Sequence, residues 1–398
     1  MEGIEPQQKR RMRLAEQVEL QRQVRAGMRR FDRAAFRGPI VLQLTLGTTA
    51  KNPPHAHSIT KNLLDLLGKP LSGLGSRHAL LYHDDRQVHG LAVRCRHRQP
   101  EPRIGITATP VACFLSDLDL AFWADRDVPP QRESDPFALE DSLDSLRDLL
   151  QNEAAYRAHP GDEWYEAMRD FTRFDVQRML LTDSVITVSD LAALYLRTPE
   201  RHPAVARLWE ELQAKRRSVF RRSLLRIHLH ELPQQAGAGD AYVRHVEAQI
   251  NSFRDRFGWA LQPLRLPVAL QVIVKPAPEG SHAGLNDLDN VARNYIIPRV
   301  VEAFAPPSNI AWTVDVERLR GRDPAAAAEW EQRQSELPKT AQQGLTRFEV
   351  WRIPPDTDPG FVSAALVADV GDFSGPFIRL DRAVESLREL DDAREDPW

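Results

Sequence analysis

The chain has 398 residues, of which 42% are hydrophobic and 27% are charged, a composition typical of a globular protein of two or three domains. Its formal net charge of −3 argues against a protein that coats nucleic acid without specificity. No window approaches the roughly 18 consecutive apolar residues that a membrane span needs, and the N-terminus lacks the apolar core of a signal peptide. We therefore expect a cytoplasmic protein without a membrane partner, in which Cys95 and Cys113 are inert thiols.

The first region, residues 1–124, is predicted to mix helices and strands. Its apolar residues alternate where a strand has one buried face and recur with helical spacing elsewhere. The predicted elements are a helix at Gln7–Arg30, a strand at Pro39–Leu46, a short helix at Lys61–Leu67, and strands at Gln87–Cys95 and Arg103–Val111.

The middle of the chain, residues 125–216, changes to helical patterns interrupted by prolines. We interpret it as a helical connector or docking region, through which the chain binds a partner protein or forms a homodimer. Strand patterns resume in residues 217–380, and residues 381–398 form an acidic tail. In this third region the sequence predicts strands at Leu224–Leu232, Pro267–Lys275, Ile310–Leu319, Thr346–Ile353 and Phe361–Ala368, with a helix at Tyr242–Phe257.

The first and third regions resemble each other. PIVLQLTL at Pro39 matches PVALQVIV at Pro267, and each strand is followed by a loop, a helix and two further strands. The shared order of elements indicates a duplicated α+β unit: two tandem mixed α/β domains joined by the helical connector.

A candidate metal site follows the strand at Pro267. Residues i and i+2 of an extended segment point the same way, so Asp287 and Asp289 are expected to converge on one cation. Asn290 stands where a helix N-cap is expected, and Arg293 lies one helical turn beyond Asp289. Carboxylate oxygens beside a guanidinium suit phosphoryl transfer, although an N-capped, solvated loop produces the same pattern.

This D-x-D-N segment, with a basic residue one turn later, resembles the RusA family of Holliday junction resolvases. The family signature is D-x-D-N-x-x-K followed by a W-x-D-D-x-Q-V strand. Ala311–Asp315 (AWTVD) resembles that strand, with Val314 in place of its first Asp. The resemblance implies a Mg²⁺ site (alternatively Mn²⁺) formed by Asp287, Asp289 and Asp315, assisted by Asn290 and by Arg293 in the lysine position.

The first copy resembles the other part of the same signature. KNLLDLL at Lys61 fits the lysine-bearing helix, and HDDRQV, with Asp84 and Asp85, fits the D-D-x-Q-V strand. At the D-x-D positions this copy has His55 and His57, which cannot simply replace two carboxylates at a Mg²⁺ site. We interpret it as a degenerate copy kept for structure or DNA contact; the alternative is a transition-metal site formed by His55, His57 and Asp85.

The resemblance implies a Mg²⁺-dependent endonuclease that hydrolyses phosphodiesters in branched DNA. We expect the basic segments Lys9–Arg37 and Lys215–Arg226 to contact phosphates, and Lys275 or Arg293 to reach the scissile phosphate. The alternative, from another functional class, is a non-catalytic DNA-binding or scaffolding subunit in which both copies are degenerate. The sequence contains no P-loop, no dinucleotide-binding loop and no serine-hydrolase elbow.

Overall fold

The computed structural model describes residues 1–118, 136–195, 225–307 and 344–369, together with residues 320, 324, 325 and 328. Within the longer ranges, residues 2, 31–33, 51–52, 72–78, 160, 187, 234–238, 278–286 and 356–358 are not described. Among the described residues, no helix is both long enough and apolar enough to cross a membrane.

One mixed sheet of seven strands forms the centre of the described chain. Its strands are β1 (Ile40–Gly47), β2 (Val88–Arg96), β3 (Arg103–Pro110), β4 (Arg226–His228), β5 (Val268–Lys275), β6 (Arg347–Arg352) and β7 (Phe361–Ala368). They lie in the order β3-β1-β2-β6-β5-β7-β4. The residues of β5 and β6 are all buried, because helices or loops cover both faces of the sheet there.

The same strand pairing occurs twice in this sheet. β1 pairs in parallel with β2 and antiparallel with β3, and β5 pairs in parallel with β6 and antiparallel with β7. We call β1–β3 with their helix the first repeat, and β5–β7 with theirs the second repeat. The predicted order of a strand, a helix and two strands is present in each, which confirms the expected mixed α+β architecture. All strands nevertheless belong to one sheet, so the two repeats share a scaffold.

The described chain also contains α-helices, and some of them connect the two parallel strands of each repeat. They are α1 (Leu14–Arg30), α2 (Ala56–Gly68), α3 (Pro136–Gln151), α4 (Glu153–Ala158), α5 (Asp162–Asp183), α6 (Val188–Leu194), α7 (Gly239–Leu261), α8 (Leu288–Asn290) and α9 (Ile297–Phe304). A parallel pair needs a crossover, which α2 provides between β1 and β2. Between β5 and β6, α8, a π-helical stretch at Val291–Ile296 and α9 follow one another without a break.

The π-helical stretch has a local cause in Pro298. Proline has no N–H for the carbonyl of Asn294, and its ring crowds that carbonyl in a regular α-helix. Widening the helix relieves the crowding. The Asn294 carbonyl accepts a hydrogen bond from the Arg299 guanidinium at 2.6 Å instead.

The two repeats join where β2 and β6 pair antiparallel. Gly90 lies opposite Trp351, and a Cβ built on Gly90 would come 2.8 Å from the Trp351 ring and 3.1 Å from Val41. Only glycine leaves room for the fully buried indole at this position. The packing of Trp351 against Gly90 therefore fixes the distance between the first and the second repeat.

Most predicted elements are present with shifted ends. The strand predicted at Phe361–Ala368 is β7. Within the strand pattern at Leu224–Leu232, the regular strand covers only Arg226–His228, and Leu229 and His230 are also hydrogen-bonded to Val362 of β7. The strand predicted at Ile310–Leu319 lies outside the described residues, as does the acidic tail.

Candidate metal centre

The D-x-D pair lies at the start of the helical segment that follows β5. Asp287 is the N-cap residue of α8 with an extended backbone, and Asp289 lies in its first turn. Asn290 Nδ2 donates a 2.9 Å hydrogen bond to Asp287 Oδ2 and so orients that carboxylate. Asp289 is only 4% exposed, so its charge faces the interior of the site.

Asp85 reaches the same place from the first repeat. It begins a 3-10 turn, Asp85–Gln87, immediately before β2. The Asp84 carboxylate accepts a hydrogen bond from Arg86 N at 2.9 Å, and Gln87 Oε1 accepts from His83 N and Asp84 N. These bonds form a capping box that holds the turn.

The second repeat also holds this turn in place. Arg352 at the end of β6 is buried, and its Nη1 donates a 2.9 Å hydrogen bond to the carbonyl of Arg86. The turn that carries Asp85 is therefore fixed by a side chain of the other repeat.

Asp85, Asp287 and Asp289 form one acidic group, in which one carboxylate oxygen of each residue lies within 4.8 Å of the others. Lys61, from α2 of the first repeat, lies among them. Its Nζ is 3.2 Å from Asp289 Oδ2 and 3.4 Å from Asp85 Oδ2. Each repeat thus contributes both to the acidic group and to the ion pairs around it.

Burial and mutual repulsion raise the pKa of two carboxyl groups in the acidic group. Burial raises the pKa of Asp289; Lys61 opposes this shift, and Asp85 and Asp287 add to it. The pKa of Asp85 is also raised, by burial first and then by Asp287, against the opposing effect of Lys61. Burial alone would lower the pKa of Lys61, but Asp289, Asp65 and Asp85 outweigh it and leave this pKa raised. One ammonium group does not compensate this concentration of carboxylates.

The donor set suits a hard divalent cation. Carboxylate oxygens are the ligands that Mg²⁺, Ca²⁺ and Mn²⁺ prefer. Asp289 Oδ2 is buried and accepts no hydrogen bond, because Lys61 approaches it at ion-pair distance without hydrogen-bond geometry. A buried carboxylate oxygen without a hydrogen bond is costly, and a bound cation would satisfy it.

The location of Asp85 differs from the expectation for the first copy. The sequence interpretation assigned Lys61, Asp84 and Asp85 to a separate, degenerate site, whereas the structure groups Lys61 and Asp85 with Asp287 and Asp289. The antiparallel pairing of β2 with β6 brings the two segments together. Asp84 lies outside the acidic group and caps the turn.

Arg293 does not join the acidic group. Among the described residues, no hydrogen bond or ion pair links it to these carboxylates. Burial lowers the pKa of His57 to about 4, and His55 and Arg293 add to this shift. His55 and His57 stack with their ring centroids 5.4 Å apart. The alternative transition-metal site of His55, His57 and Asp85 is not among the groups of potential metal ligands in the described residues.

The other predicted site residues have mixed positions. Asp315 and residues 215–224 of the second basic segment lie outside the described residues. Lys275 is buried with its Nζ 5.4 Å from the centre of the Phe361 ring, and Arg226 is buried within β4. In the first basic segment, Lys9 is exposed and forms a 3.1 Å ion pair with Asp65.

Comparison of the chain with protein-family models, with curated proteins and with solved structures finds no match. The composition of the site therefore rests on its geometry. A signal for it exists in the sequence: the first repeat keeps the lysine and aspartate part of the signature, and the second keeps the D-x-D-N part.

Proposed function

We propose that the chain is a Mg²⁺-dependent endonuclease that hydrolyses phosphodiester bonds in branched DNA. One observation carries this proposal: Asp85, Asp287 and Asp289 converge beside Lys61, although Asp85 belongs to the first repeat and the other two belong to the second. The resemblance of both sequence segments to the RusA signature supports DNA as the substrate.

When bound, a divalent cation supplies Lewis acidity to a phosphoryl oxygen and lowers the pKa of a water molecule. Asp85, Asp287 and Asp289 would hold it, with Mn²⁺ as the alternative to Mg²⁺. Asn290 positions Asp287, and the capped turn positions Asp85.

Lys61 has a separate role in this proposal. Its raised pKa keeps the ammonium group charged at neutral pH. A charged, partly exposed ammonium group at the edge of the acidic group can orient a phosphate and stabilise the charge that develops on it. This assigns to Lys61 the task that the sequence interpretation gave to Arg293 or Lys275.

In the described part of the chain, the acidic group is the only group of three or more potential metal ligands. One chain is therefore proposed to cut one strand at a time. Symmetric cleavage of a four-way junction would then require two chains.

The test is incubation of the full chain with labelled four-way junction, flap and duplex DNA, with Mg²⁺ and with EDTA. We expect Mg²⁺-dependent cleavage of the branched substrates. Asp289→Asn keeps the shape of the side chain and removes its charge; it should abolish cleavage, and DNA binding should persist or tighten because a negative charge near phosphates is lost.

Two outcomes would contradict the proposal. Cleavage by Asp289→Asn at the wild-type rate would place the reaction elsewhere in the molecule. Binding of branched DNA without cleavage under any divalent cation would favour the non-catalytic DNA-binding subunit.

A further inference from the structure

The first repeat contains a segment that corresponds in position to the D-x-D segment of the second repeat. His55 is the N-cap residue of α2, as Asp287 is of α8, and their backbones agree: φ −58° and ψ 141° for His55, φ −62° and ψ 131° for Asp287. Counting onward from the cap, His57 corresponds to Asp289 and Lys61 to Arg293.

Contacts across the two repeats are reciprocal. Lys61 of the first repeat pairs with Asp289 of the second, and the π-helical stretch that carries Arg293 packs against α2, which carries His57. Gly344 stands as far before β6 as Asp85 stands before β2, and a Cβ at Gly344 would lie 3.2 Å from His55 Nδ1. A residue without a side chain therefore takes the place that Asp85 has in the acidic group.

We propose that His55, His57 and Arg293 form a mirror site that holds a backbone phosphate of a nucleic acid strand without cutting it, with Arg293 as its positive charge. The site goes beyond the proposed nuclease function, and its binding can be measured without cleavage. Arg293 is partly exposed and, among the described residues, has neither a hydrogen bond nor an ion pair. The His55 side chain is exposed as well, so the group is accessible from solvent.

The chemistry of the mirror site favours an anion over a metal ion. A guanidinium offers paired N–H donors that match phosphate oxygens, and imidazole rings add further donors. A cation bound to His55 and His57 would be repelled by Arg293, and the described residues supply no third metal ligand to this pair. At the equivalent place in the acidic group, carboxylates would repel the same phosphate unless a metal ion were bound.

The experiment measures the affinity of the full chain for a labelled four-way junction in EDTA, over a range of salt concentrations. Each phosphate contact adds about 0.9 to the slope of log K against log salt. Arg293→Gln should lower this slope by about one and weaken binding at low salt roughly 3- to 10-fold. Arg293→Lys should restore most of the slope, and His57→Asn should lower affinity in the same direction.

The matched control is Arg254→Gln, which removes the same charge from a side chain that is 40% exposed on α7; it should leave the slope unchanged. A slope that stays at the wild-type value in Arg293→Gln overturns the mirror site, whether or not the acidic group cuts DNA. Zn²⁺ that binds one per chain, and is lost in His57→Asn but kept in Arg293→Gln, would overturn it in favour of a transition-metal site.

Discussion

The crossover helices of the two repeats begin at equivalent places beside the sheet, yet their first turns carry different side chains. After β5 the chain presents Asp287 and Asp289, and after β1 it presents His55 and His57. The partners differ as well, because Lys61 lies among carboxylates and Arg293 lies on the helical stretch that packs against the helix of His57. One backbone arrangement thus carries two different sets of side chains.

The largest expected effect is a loss of cleavage that should differ between the two neighbouring aspartates of the first repeat, Asp85 and Asp84. Asp85→Asn should reduce Mg²⁺-dependent cleavage about 100-fold or more, a barrier increase of about 2.7 kcal/mol, because it removes a proposed metal ligand. Asp84→Asn is the matched control, since asparagine also caps the turn and Asp84 lies outside the acidic group. Equal losses in single-turnover assays of the two variants would show that the turn matters rather than the Asp85 carboxylate.

A change where β2 pairs with β6 should affect the acidic group and the mirror site together. Gly90→Val places carbon atoms where the Trp351 ring lies, so we expect a loss of about 2–3 kcal/mol in the free energy of unfolding. Urea denaturation measures this loss. Both cleavage and the salt slope of DNA binding should fall, because β2 and β6 set the distance between the repeats. Unaltered stability would mean that the contact between β2 and β6 accommodates a larger side chain.

Lys61→Met tests how far one ammonium group offsets the acidic group. Without metal, the variant should lose about 1–3 kcal/mol, because the buried Asp289 then has no positive partner. The midpoint Tm should rise more on addition of Mg²⁺ in the variant than in the wild type, because Lys61 no longer competes with the cation. Differential scanning fluorimetry measures both quantities. The opposite order of the two Mg²⁺-induced shifts would indicate that Lys61 does not neutralise the proposed ligands.

The smallest effect concerns pH. The folded-state pKa of Asp289 is raised above its usual value of 3.8, so the folded protein binds this proton more tightly than the unfolded chain does. The stability from this group is present at low pH and is lost as pH rises above that value. In EDTA, Asp289→Asn should therefore be more stable than the wild type at pH 7, because it lacks the charge that burial disfavours. The advantage should shrink toward pH 4, as thermal melts across this range would reveal.

Local patterns in the sequence predict most of the fold but divide the site wrongly between its segments. The alternation of apolar residues locates β1, β5 and β7, because each has at least one continuously buried face. The convergence of Asp287 with Asp289 is likewise local, since these residues lie two apart. Asp85 is different: its proximity to them depends on β2 pairing with β6, a contact between residues more than 250 positions apart. No period or spacing encodes that pairing.

The reciprocal contacts across β2 and β6 also bear on how such a molecule can evolve. In a symmetric dimer of identical subunits, any substitution appears in both sites at once, so neither can change alone. Here Lys61 meets Asp289 at one place, and the helical stretch of Arg293 meets the helix of His57 at the other, although all four residues belong to one chain. A mutation at His57 therefore leaves Asp289 untouched. Covalent linkage of the repeats therefore allows the side chains at the two places to change independently.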